Sequence, residues 1–125
     1  MEVKIGYSPC PNDTFIFGAM VNGMIDTHGI RFEPVLRDVE ALNTMASSAE
    51  LPITKISFNA FLPLTDRYRL LNSGAALGRD CGPLLIAQHP YSNEDLADLQ
   101  IAIPGEQTTA NFLLDYFLVT MCVSR

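Results

Sequence analysis

Three short stretches of this chain carry side chains able to hold an anion. Ser8 leads into Asn12, Asp13 and Thr14; Ser57 is followed by Asn59; Thr108 and Thr109 precede Ala110. Each stretch follows a strand-like apolar run and puts small hydroxyl or amide groups where a helix should begin. The first turn of a helix has unpaired N–H groups and the positive end of the helix dipole. Hydroxyls add donors that rotate to suit a carboxylate or phosphate oxygen, so such an anion needs no neighbouring lysine or arginine. Taken singly, each stretch is ordinary helix capping. Three of them on one sheet edge would make a site, because open α/β sheets bind ligands beyond the carboxyl ends of their strands. The first stretch, "SPCPNDTFIF", has a further feature: Pro9 and Pro11 stiffen the turn, and Thr14-Phe15 sets a hydroxyl beside an aromatic ring.

The elements that must position these groups are legible in outline. "VKIGYS" alternates as a first strand, which Pro9 and Pro11 stop because neither donates to a ladder. A helix capped within Asn12–Thr14 runs to Asn22-Gly23, a left-handed stop. "IRFEPVL" is a second strand, and Asp38 caps a helix whose Val39, Leu42, Met45 and Ala46 form one apolar stripe. "ITKIS" is a third strand leading to a short helix that ends near Pro63. "RLLNSG", Leu84 to Gln88 and "QIAIPG" read as further strands, "NEDLADL" as a short helix capped by Asn93, and residues 106–125 as a final helix. This alternation predicts an α/β fold with a mainly parallel sheet. The glycines of "AALGRDCGPLL" mark either a boundary between lobes or an ordinary turn. The final run "YFLVTMCV" is apolar on nearly all faces, so it is either central to a core or meant for further chain beyond it.

Size and charge narrow the function. With 125 residues, 48% of them hydrophobic and 18% charged, the chain is long enough for one ordinary domain. Its net charge of −6 and lack of clustered Lys and Arg argue against a nucleic-acid partner. No apolar stretch reaches the ~20 residues of a membrane span, and "MEVKIGYSPCPND" is not a signal peptide. A cytoplasmic protein is the expectation. Cys10, Cys81 and Cys122 form no C-x-x-C pair, and with His28 and His89 they make no metal set.

Other residues have plain readings. The cysteines are expected to be buried or half-buried reduced thiols, Cys10 inert rather than nucleophilic. His28 and His89 belong to solvated loops. Phe15, Phe17, Phe58 and Phe61 are expected in the core, unless one or two line the cleft and stack on a planar ligand. Lys55 either neutralises ligand charge or extends into solvent. "GYSPCP", "GAALG" and "GRDCG" make neither a G-x-G-x-x-G fingerprint nor a P-loop, so nucleotide binding by those routes is excluded.

Four ordered motifs, "SPCPNDTFIF", "ITKISFNAF", "LLNSGAALGRDCGPLL" and "IAIPGEQTTANFLL", resemble the 1,4-dihydroxy-6-naphthoate synthases of the futalosine route to menaquinone. The resemblance extends to about Leu114. It implies a type II periplasmic-binding-protein-like fold, two α/β lobes around a cleft. Here residues 1–82 would form the first lobe and 83–125 the start of an incomplete second one. It also implies a cofactor-free carbon–carbon lyase that converts cyclic dehypoxanthinyl futalosine to the naphthoate. Substrate contacts of the family map onto Lys55, Ile56 and Ser57, and onto Thr109 and Ala110. Ser8, Asn12, Asp13, Thr14, Asn43 and Thr108 would line the same cleft. The expected partner is a small aromatic carboxylate.

The chain also departs from that pattern. A family member is about twice as long, and its histidine base lies beyond Arg125, at a position that neither His28 nor His89 matches. After Leu114 the sequence drifts from the pattern, and Pro52 stands where an acidic residue is expected. The chain is therefore expected to be a fragment with little lyase activity alone, or else a non-catalytic module that binds a small carboxylate.

Overall fold

The protein is described from a computed structural model, in which residues 1–123 are described. Its centre is a three-stranded parallel sheet of order β2-β1-β3: β1 is Glu2–Tyr7, β2 Arg31–Leu36 and β3 Ile53–Thr54. Glu2 lies opposite Arg31 and Tyr7 opposite Leu36, while Ile5 and Gly6 face Ile53 and Thr54. Beyond the short β3, the Lys55 amide still donates to the Gly6 carbonyl at 2.7 Å. That bond carries the ladder up to residues 55–57.

Helix α1, Pro11–Val21, joins β1 to β2, and α2, Val39–Ser47, crosses from β2 past β1 to β3. Crossovers between parallel strands are right-handed, so two that run in opposite directions leave their helices on opposite faces. The β1 side chains agree with this. Tyr7 meets Phe17 of α1, ring centroids 4.9 Å apart. Gly6, on the other face, lies under Leu42 of α2 and beside Leu51. A Cβ at Gly6 would sit 2.9 Å from Leu42 Cδ2 and 3.0 Å from Thr54 Oγ1, closer than side chains tolerate. Glycine therefore lets α2 approach the sheet. The core is Ile5, Tyr7, Leu42, Ala46, Leu51, Ala60 and Leu64, joined by Leu96.

Several local expectations hold. Asp38 caps α2, accepting from the Glu40 and Ala41 amides at 3.0 Å each. Leu42 and Ala46 of the apolar stripe are fully buried. Gly23 takes the left-handed conformation (φ 66°) just after α1. The start of α1 needs correction. Its cap is Cys10, with Pro11 in the first turn, and the helix begins before the three residues expected to cap it. Proline at the first helical position has its φ preset and loses no bond there.

The second half departs further. Helix α3, Phe58–Phe61, runs into a 3-10 turn at Leu62–Leu64, and α4 spans Thr109–Val123 rather than starting at 106. "RLLNSG", Leu84 to Gln88 and "QIAIPG" form no strands, and "NEDLADL" yields one 3-10 turn at Asp95–Asp98. Its start is held by Ser92, whose N–H and Oγ–H donate to Asp95, not by Asn93. A strand exists only against a partner, and these runs pair with nothing among the described residues. Leu84 and Ile86 are exposed instead. On α4, Phe112, Leu113, Tyr116, Phe117 and Val119 are all exposed. No helix among the described residues is long and apolar enough to cross a membrane.

Candidate functional site at the switch point of the sheet

Strand order reverses between β1 and β3, and the carboxyl ends of these strands lie at that reversal. In open α/β sheets this crevice is where ligands bind. Ser8 follows β1, and Lys55, Ile56 and Ser57 follow β3. Hydrogen bonds tie Ser8 to Lys55 through Asp13, and tie Ser57 and Asn59 to the start of α4.

The first branch centres on Asp13, 3% exposed in the first turn of α1. It accepts from the Ser8 N–H at 3.1 Å and the Ser8 hydroxyl at 2.8 Å, and pairs through its other oxygen with the Lys55 ammonium. Burial, the largest single influence, pushes its carboxyl up. The hydrogen bonds from Lys55 and Ser8, with the Lys55 charge, outweigh it and hold Asp13 below the ordinary carboxylate value. Lys55 is thus neither solvated nor lone: it stands at the crevice with its charge partly balanced. The Ser8 proton is already given to Asp13.

The second branch runs through α2. Asn43, 0% exposed, accepts the Ser57 N–H at Oδ1, 3.0 Å. Its Nδ2 donates to Ser57 Oγ at 3.3 Å and to Glu40 Oε2 at 3.1 Å. Glu40 Oε1 accepts the backbone N–H of Gln107, 67 residues away, at 3.2 Å. The third branch joins α3 to α4 directly: the Asn59 N–H donates to Thr109 Oγ1 at 3.2 Å, and Asn59 Nδ2 reaches the Gln107 carbonyl at 3.4 Å.

This wiring assigns a direction to each hydroxyl. Backbone N–H groups only donate, so Ser57 N–H fixes Asn43 with Oδ1 towards it, and Nδ2 must then donate to Ser57 Oγ. Thr109 Oγ1 likewise accepts from Asn59. Each of these two oxygens receives a bond, and neither hydroxyl proton has an acceptor among the described residues. Thr108 differs. Its hydroxyl donates to the Gly105 carbonyl at 2.7 Å and accepts from the Asn111 N–H at 3.2 Å, which makes it the buried cap of α4. With the cap serving Asn111, the amides of Thr109 and Ala110 stay at the helix mouth without intrahelical partners. The loops around the switch point therefore carry two O–H donors, two amides at the mouth of α4 and an ammonium paired with Asp13.

Other candidates take no part in this hydrogen-bond network. The Thr14 hydroxyl turns back to the Cys10 and Pro11 carbonyls of its own helix, at 3.1 and 3.2 Å, and Asn12 is exposed at the head of α1. Cys10 and Cys81 are exposed, not buried; Cys10 sits on the open turn where the chain leaves β1. The Cys122 side chain lies outside the described ones. Of the four phenylalanines expected in the core, Phe17 packs on Tyr7, but Phe15 is 89% exposed and Phe58 is also exposed. Phe15 stands two residues before Phe17, about 200° around the helix, so it faces away from the sheet. His28 lies in an exposed loop beside Asp26, and His89 is exposed. Sequence reasoning missed Glu40 and Gln107, because nothing local marks a contact between residues so far apart.

A family model described as menaquinone biosynthesis matches residues 3–123. The chain belongs to the menaquinone-biosynthesis family. Within it, the chain is 49% identical over 115 residues to a 1,4-dihydroxy-6-naphthoate synthase of Thermus thermophilus, covering 92% of this chain and 41% of that protein. A synthase of the same name from Streptomyces coelicolor is 37% identical over 111 residues, covering 89% of this chain and 38% of that protein. A crystal structure of an Archaeoglobus fulgidus protein superposes with a TM-score of 0.83 at 39% identity, over 90% of this chain and 41% of that one. This family member thus spans about two fifths of the length of the curated relatives it matches.

Proposed function

We propose that this chain is the substrate-holding part of a 1,4-dihydroxy-6-naphthoate synthase. It grips the carboxylate of an aromatic substrate at the reversal between β1 and β3. One observation carries the reading: the hydroxyls of Ser57 and Thr109 each accept a protein hydrogen bond and keep their own proton for an acceptor that the described residues do not supply. A carboxylate offers acceptors only. The Thr109 and Ala110 amides add positive potential at the mouth of α4, and the Lys55 ammonium, paired with Asp13, is a further donor after β3. Ile56, between Lys55 and Ser57, places apolar surface beside these donors for an aromatic ring.

The relatives' name supports a naphthoate as that aromatic acid. The reaction proposed is the carbon–carbon lyase step from cyclic dehypoxanthinyl futalosine, in a two-lobed, periplasmic-binding-protein-like protein of the cytoplasm. In it, donors positioned in advance at the crevice stabilise developing negative charge. Neither His28 nor His89 joins the hydrogen-bond network described above; in this reading the residues of the network bind and orient, and proton abstraction falls to another group. General-base catalysis contributes about 10²–10⁴-fold, and the chain assayed by itself is expected to turn over slower than a full-length relative by at least that factor.

The test is an anaerobic titration of the purified chain with 1,4-dihydroxy-6-naphthoate. Saturable binding is expected, weakened about tenfold or more in Ser57→Ala and Thr109→Val, each of which removes a hydrogen bond to a charged group. Thr109→Ser should bind almost as the parent does. Absence of saturable binding, or equal affinity in all four proteins, overturns the proposal.

A further inference from the structure

The two ligand-facing loops, 55–57 and 107–110, are far apart in sequence and are joined through Glu40 and Asn43, beside the direct bonds from Asn59. Asn43 engages Ser57 with both ends of its amide, and its Nδ2 also donates to Glu40 Oε2. The other oxygen of Glu40 accepts the Gln107 N–H. Gly105, at φ 146°, lies so close to the Glu40 carboxyl that a Cβ there would strike Cδ and Oε2. Ser47 Oγ, which donates to the Asn43 carbonyl at 3.1 Å, also lies 3.4 Å from the Gln107 side-chain amide, a further contact between α2 and that loop.

We propose that Glu40 and Asn43 form a clasp that sets the separation of the two loops. This makes Glu40, which faces protein amides on both oxygens, a positioning residue of the site. The inference rests on the reading of the crevice as a carboxylate site, and it explains why a carboxylate occupies position 40. Both Glu40 oxygens must accept, one from a side-chain amide and one from a backbone amide. A glutamine offers only one acceptor, so Glu40→Gln must leave either Asn43 Nδ2 or the Gln107 N–H unmatched.

Reversing the polarity of the inner bond provides a rescue. In the double variant Glu40→Gln/Asn43→Asp, the new amide donates to the new carboxylate, while its carbonyl oxygen still accepts from Gln107. The other carboxylate oxygen still accepts the Ser57 N–H. The carboxylate also captures the Ser57 hydroxyl proton, which the parent keeps for the ligand.

The experiment is amide hydrogen exchange followed by NMR, paired with the anaerobic naphthoate titration. In Glu40→Gln, exchange at Ser57 and Gln107 is expected to accelerate about tenfold or more while β1 amides stay at the parent rate. In the double variant, protection returns at both positions but naphthoate affinity stays depressed. Unchanged exchange in Glu40→Gln, or a double variant no better protected than the single one, overturns the clasp. If Glu40→Gln fails to fold, the double variant decides: parental protection at both amides supports the proposal, and its loss defeats it. If the parent binds no naphthoate, the functional reading fails, and the exchange data still decide the clasp.

Discussion

Residues 1–68 and residues 69–104 read alike in sequence, each alternating apolar runs with turns rich in glycine and proline. They fold differently. In the first region, every strand expected from the pattern pairs with another, and Ile5, Leu42, Ala46 and Leu51 are buried between sheet and helices. In the second, Leu70, Leu77, Leu84 and Ile86 stay exposed and no ladder forms. A period-two pattern states a preference for a pleated, half-buried surface; a neighbouring strand turns it into structure.

The largest test of this contrast is Leu42→Ala. Leu42 is fully buried between α2 and the sheet, and its truncation is expected to cost about 2–5 kcal/mol in urea unfolding. Ile86→Ala, at a side chain 85% exposed, should stay within about 0.5 kcal/mol of the parent. Equal effects would erase the difference between the regions.

Gly6→Ala comes next. The added methyl meets Leu42 and Thr54 across the face of β1, an overpacking expected to cost about 1–3 kcal/mol. Alanine at Gly82, where nothing lies within reach of a Cβ, should change the unfolding midpoint far less.

Smaller again, and visible only in acid, is the contribution of Asp13. Its carboxyl is held below the ordinary value in the folded protein, so its stabilisation is fully present above the unfolded value of about 3.9. That stabilisation is lost as pH falls through the lower, folded value. The parent's melting temperature should drop more steeply below about pH 4 than that of Asp13→Asn. Parallel curves would show that the pair with Lys55 adds no pH-dependent stability.

How much of this was legible beforehand follows from how far apart the causes lie. The Asp38 cap, the left-handed Gly23 and the apolar stripe of α2 depend on residues within one or two helical turns, and each reads directly from the chain. The hydroxyl-rich loops were visible for the same reason, and so was the likeness of four motifs to the naphthoate synthases. Legibility failed where the cause was distant. Cys10 rather than Asn12 caps α1, because Pro11 starts the helix early and Asp13 turns inward to Ser8 and Lys55. Thr108 caps α4, whereas Thr109 beside it accepts an amide from α3 and meets no acceptor for its own proton among the described residues.

The sequence by itself determined which groups were available: donors of the right kind, at turns after apolar runs, on a chain of α/β character. Only the tertiary structure decided which of those donors stay unengaged. A hydroxyl is donor and acceptor at once, and its role depends on what approaches it through space. For Ser57 and Thr109 the approaching groups are Asn43 and Asn59, whose positions are set by the packing of α2 and α3.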